Sequence, residues 1–169
     1  MPIRLFIITL FAVSIFSGCS KEQRPAGLPP LFPCKIMITQ GNKPLEGALV
    51  QLVPESGTFQ WTISGKTDSS GVAKLSTHAK FSGAPAGTFK VLVSKTEASP
   101  SKYPVPADNA PVEEWTEYRG QISMEHRPLI QYVKPEYEDI SSTPHSILIT
   151  KGKNRQTFDV GEPVEIVVQ

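Results

Sequence analysis

The chain has 169 residues, a formal net charge of +1 and two cysteines. A surface this close to neutral removes the electrostatic case for nucleic acid or an anionic membrane face as a partner. Sixteen prolines and twelve glycines, spread without a period, exclude collagen and long helices and point to strands joined by turns.

The N-terminus comes first. Arg4 precedes an uncharged apolar run from Leu5 to Phe16. As a helix that run would span about 18 Å, short of the ~30 Å hydrocarbon core of a bilayer. A short apolar stretch ending in small residues predicts a signal peptide over residues 1–18. Ser17-Gly18-Cys19 resembles the lipobox of bacterial lipoproteins. That resemblance implies cleavage before Cys19, lipid on its thiol, and a membrane as the first partner. Each buried methylene contributes ~0.8 kcal/mol, so several acyl chains anchor a protein firmly. Ser20 follows where such proteins carry Asp when held in the inner membrane, which implies the outer membrane of a bacterial envelope. The alternative is ordinary secretion with a cut elsewhere.

Residues 19–33 comprise the lipidated Cys19 and a linker with Pro25, Pro29, Pro30 and Pro33. Proline stiffens such a segment, so it reads as an extended spacer. From residue 34 to 169 the pattern predicts one β-sandwich domain. Cys34, Ile36 and Ile38 alternate with Lys35, Met37 and Thr39, which makes Cys34 a small core residue and turns Lys35 to solvent. Residues 40–47 form a turn-rich link. Ala48, Val50 and Leu52 share a face, then Phe59, Trp61 and Ile63, then Phe89, Val91 and Val93. TDSSG (67–71) and KGKN (151–154) are turn signals, and SILIT, RQTFDV and PVEIVV supply the last strands. The fold class is mainly β: a single antiparallel sandwich with one short helix in an insertion.

The insertion is 98–145. Pro111 precedes Val112, Glu113 and Glu114, which suits a helix start. Val112, Trp115, Tyr118 or Arg119, and Ile122 fall on one helical face, so the helix is expected to pack a Trp115 stripe on one end of the sandwich. Residues 133–145 read as a loop without regular structure.

Three stretches carry a family resemblance: NKPLEGALVQLVPES, GKTDSSGVAKLST and GAPAGTFKVLVSK. Pro44, Gly47, Ala48, Val50, Leu52, Gly65, Thr67, Asp68, Gly71, Pro85, Gly87, Phe89, Val91 and Val93 stand where the carboxypeptidase regulatory-like domain has its pattern. VKPEYEDISSTPHSILITKGKN is similar to the ending of many small bacterial lipoproteins with this domain. The resemblance spans roughly 34–160 and implies an Ig-like, transthyretin-like sandwich. Its residues are turn and core formers, so it implies a fold and no activity.

Residues that could do chemistry are few. His78, His126 and His145 lie far apart without a zinc spacing and read as exposed loop histidines. Asp68 offers calcium one carboxylate and is expected to cap its own turn. Glu136, Glu138 and Asp139 read as a solvated loop. Tyr118-Arg119-Gly120-Gln121 resembles the YRGS tetrad that closes hydroxyisourate hydrolases, but far from the C-terminus and with Gln last. Lys35 and Asn154 invite comparison with the Lys–Asn isopeptide of collagen-adhesin B-type repeats, which demands burial that Lys35 should lack. The expectation is a non-enzymatic, envelope-anchored lipoprotein with no cofactor, no metal and a structural or protein-binding role. If there is a ligand, Trp115, Tyr118, Tyr132 and Tyr137 are the candidate binders, since loops on a rigid sandwich carry recognition. The alternatives are a carbohydrate or small-ligand module and, third, a hydrolase working through His126 or His145.

Overall fold

The structure, a computed structural model, describes residues 24–168. The expected signal peptide and Cys19 lie outside the described residues.

In chain order the elements are β1 (Leu31–Phe32), β2 (Cys34–Gln40), β3 (Lys43–Pro44), β4 (Leu49–Pro54), β5 (Ile63–Lys66), β6 (Val72–Lys74), β7 (Ser76–Thr77) and β8 (Phe81–Ser82). There follow β9 (Ala84–Pro85), β10 (Gly87–Ser94), β11 (Thr96–Ala98), α1 (Val112–Met124), β12 (Leu129–Gln131), β13 (Ser146–Ile149), β14 (Asn154–Asp159) and β15 (Ile166–Val168). One sheet runs β13-β10-β4-β5-β7-β8 with every neighbour antiparallel. The facing sheet runs β14-β2-β3, with β6 on the same edge of β2 as β3. A small third sheet runs β11-β12-β15.

The period-two pattern works as expected where both sheets meet. Cys34, Ile36 and Ile38 from β2 close on Val50, Leu52, Phe89, Val91, Val93, Ile147 and Ile149 from the larger sheet, all buried. Burying such apolar surface is the main favourable term in folding. Asp68 caps the 67–71 turn, its Oδ1 accepting from the Ser70 and Val72 amides, while Gly71 takes φ +75°, which glycine adopts without strain.

Four details depart from the sequence reading. The pair β14/β2 is parallel, with Asn154 opposite Cys34. VAKLST is two strands: Val72–Lys74 pairs with β2, then the chain crosses at buried Leu75 so that Ser76–Thr77 pairs with β5. Only Ile63 of the Phe59/Trp61/Ile63 set lies in a strand. Phe59 packs on the core edge, and half-exposed Trp61 meets it edge-on at 5.4 Å. Residues 133–145 hold a 3-10 turn at Pro135–Tyr137 and bury Val133 and Thr143.

The helix forms, but it buries nothing. Val112 is 75% and Met124 90% exposed. Trp115 and Tyr118 cover each other, edge to face at 6.1 Å, in place of docking on the sandwich. What fixes the helix is polar. The Glu125 carboxylate accepts from the Ser101 hydroxyl at 2.6 Å and the Lys102 amide at 3.1 Å, and Arg127 donates to the Ser99 carbonyl. Among the described residues no helix is long and apolar enough to cross a membrane.

Candidate functional site

The described part of the linker is not a free spacer. Leu31 and Phe32 pair antiparallel with Pro85 and Ala84, and Gly27 lies beside the Trp61 ring. Prolines lack an amide donor, which confines them to sheet edges, so a two-residue ladder against Pro85 is as much pairing as this segment allows. Pro29, Pro30 and Phe32 line a groove of about 490 Å³ with Pro54, Phe59, Phe89 and Lys151. The signal in the sequence was the apolar pair Leu31-Phe32 between prolines, opposite the apolar dipeptide Ala84-Pro85.

The four candidate aromatic residues do not converge. Trp115 and Tyr118 form their own pair on α1, their planes at 85°. Tyr132 donates its amide to the Lys95 carbonyl, and the Lys95 ammonium sits 5.4 Å from its ring centroid. Tyr137 packs against the core and stacks on His145 at 5.2 Å. Among the described residues no ring contact joins the helix pair to Tyr132 or Tyr137.

The histidines divide. His78 and His126 are exposed, as expected. His145 lies in a loop as expected, but it is not exposed: it is half-buried between the Tyr137 ring and the Phe158 ring, the latter at 4.8 Å. Its Nε2 lies 2.9 Å from the Asp159 carbonyl, which can only accept, so Nε2 carries the proton. Burial holds its pKa below the ordinary value, and the bond to the Asp159 carbonyl offsets that in part. The Asp159 carboxylate is occupied. The Thr39 hydroxyl, which does most to lower its pKa, donates to it at 2.7 Å, and the Gly161 and Asn42 amides add to it. This constellation escaped the sequence reading because Tyr137, His145, Phe158 and Asp159 meet only once β14 lies beside β2.

The other titratable groups serve local structure. Asp68 and Asp139 are held below the usual carboxylate range, each chiefly by a serine hydroxyl two residues on. Glu138 is pushed up by desolvation. Cys34 is buried, and its thiol is raised to about 11. Asn154, the supposed isopeptide partner, spends its side chain on the 150–154 turn, and Lys35 is exposed. Among the described residues no cluster of three or more His, Cys, Asp or Glu could hold a metal ion.

Comparison of the chain with protein-family models, with curated proteins and with solved structures found no match.

Proposed function

We propose that the chain is a non-enzymatic lipoprotein of a bacterial envelope. Lipid on Cys19 tethers a carboxypeptidase regulatory-like β-sandwich, in the outer membrane given Ser20, for a structural or protein-binding role. The observation that carries this reading is the sequence of events at the N-terminus. An apolar run closes on Ser17-Gly18-Cys19, and within a few residues the chain is docked on the sandwich through Gly27 and Leu31-Phe32. The side chains of the described body serve packing and turn formation, which suits a presented module. A carbohydrate platform calls for coplanar exposed rings, and the Trp115–Tyr118 planes stand nearly perpendicular.

Mass spectrometry of the N-terminal peptide from envelope fractions tests the reading. The expected result is a mature chain beginning at Cys19 with acyl groups on it. A mature N-terminus elsewhere, or an unmodified Cys19 thiol, overturns it. A pull-down of the tagged chain from its own envelope, with Cys19→Ala as control, then identifies the partner.

A further inference from the structure

We propose that the outer face of the β14-β2-β6 strands, beside the end of the sandwich where the N-terminal chain leaves, is a docking surface for an anionic lipid headgroup layer, with Lys35, Lys74 and Arg155 at its centre. The proposal deepens the lipoprotein reading and takes its biological setting from it, although its test does not depend on acylation.

The register places the three cations abreast. Arg155 on β14 is the partner of Lys35 on β2, and Lys35 is the partner of Lys74 on β6. Residues directly opposite share a face, with Cβ atoms about 5 Å apart, and like charges so placed destabilise the pairing. All three are exposed, and among the described residues none makes an ion pair. They line a groove of about 310 Å³ with Met37, Val72 and Thr157. The one carboxylate in it is Asp68, whose Oδ1 accepts from Ser70 and Val72 and whose charge Lys74 attracts, so one negative group stands against three cations. A sheet face that repels itself gains stability from an anion laid across it.

The row belongs to a wider asymmetry. Asn154 pairs with Cys34, Leu31 with Pro85, Gly87 with Ile149 and Phe89 with Pro54, so these strand ends lie together where the linker docks. Residues 24–37, 53–64, 72–88 and 146–157 build that end. They carry Arg24, Lys35, Lys74, Lys80, Lys151, Lys153 and Arg155 against Glu55 and, in the groove itself, Asp68. Most acidic residues, among them Glu97, Glu114, Glu136 and Asp159, belong to the opposite end or the insertion. A nearly neutral chain is therefore strongly polarised, and its basic end is the one the tether leaves. From Arg24 back to Cys19 an extended chain spans at most about 18 Å. An anchor in the bilayer would hold this end, and not the acidic one, against the headgroups.

The test is sedimentation of the mature chain, residues 19–169 carrying Cys19→Ser, with vesicles of phosphatidylcholine alone, or of phosphatidylcholine with phosphatidylglycerol, at low and high salt. Binding should require phosphatidylglycerol and weaken with salt. The triple variant Lys35→Gln, Lys74→Gln, Arg155→Gln should weaken it by about fivefold per charge removed. The triple Lys43→Gln, Lys66→Gln, Lys134→Gln removes the same charge from the far end and should leave binding unchanged. The first triple should also melt higher than its parent, because it relieves repulsion. Equal loss in both triples, binding indifferent to phosphatidylglycerol, or displacement by millimolar inorganic phosphate would each overturn the proposal. Because the assay uses unlipidated chain, its outcome is separate from whether Cys19 is acylated.

Discussion

Gly83 lies against the backbone of Phe32 so closely that a Cβ on it would stand 2.5 Å from the Phe32 carbonyl oxygen. Gly83 also holds φ +102°, where an L side chain is strained. The contact explains why the segment before the sandwich is docked and does not trail. Gly83→Ala should destabilise by about 1–3 kcal/mol through strain and the displaced strand. In hydrogen exchange, the amides of residues 31–32 should lose protection before those of Val91 and Val93. Uniform loss across the domain would mean that the linker is an ordinary part of the core.

Thr67 holds two parts of the family-like pattern together. Its buried hydroxyl sits 2.8 Å from the Ala48 amide, which donates to it, and 3.4 Å from the Ala48 carbonyl. Thr67→Val keeps the shape and orphans that amide. A buried donor without a partner costs roughly 1–3 kcal/mol, which urea denaturation would read as a lower midpoint at unchanged slope.

Trp115→Ala tests the standing of the helix. Because α1 buries no residue, removing its largest side chain should move stability by no more than about 0.5 kcal/mol. A loss several times larger would mean that Trp115 packs on the sandwich after all.

Legibility followed physical range. Cys34–Gln40, Leu49–Pro54 and Gly87–Ser94 could be read because a half-buried strand writes its two faces into neighbouring residues. The same period misled at Phe59 and Trp61: Phe59 packs on the core edge, and Trp61 lies against Gly27 and the Phe59 ring, both outside any strand. The helix was legible from its start signals but its packing was not, since an apolar stripe does not say what covers it. Alternation is also silent on strand direction, so the parallel pair of β14 with β2 could not be foreseen. With it went the Arg155–Lys35–Lys74 row and the His145 stack, which exist only across strands distant in sequence.

Cys34 should be inert in the folded chain. Only a thiolate attacks an alkylating reagent, and burial raises this thiol to about 11. Near pH 8 the thiolate fraction is then on the order of a thousandth. Iodoacetamide should leave the Cys34 peptide unmodified under native conditions and label it fully in urea, as peptide mass mapping would report. Rapid native labelling would show that β2 opens at its first residue.

His145 makes the fold sensitive to mild acid. In the unfolded chain its imidazole takes up a proton near its ordinary value of 6.5, whereas in the stack desolvation holds the folded pKa lower. Between those two values the unfolded state binds more protons, so stability falls as pH falls. The contribution is complete above about pH 6.5 and lost as pH drops toward the folded value. Asp68, Asp139 and Asp159 act in the same direction but in a lower window, beneath their ordinary 3.8. Glu138, raised above its ordinary 4.5, acts oppositely: its contribution is present below that value and fades as pH rises. His145→Gln keeps an N–H for the Asp159 carbonyl and cannot titrate. Melting temperatures followed from about pH 7.5 to 5.5 should fall more steeply for the parent than for His145→Gln, with the Glu138 contribution common to both. Parallel profiles would show that the imidazole charges freely in the folded chain, and that its place between Tyr137 and Phe158 is open to water.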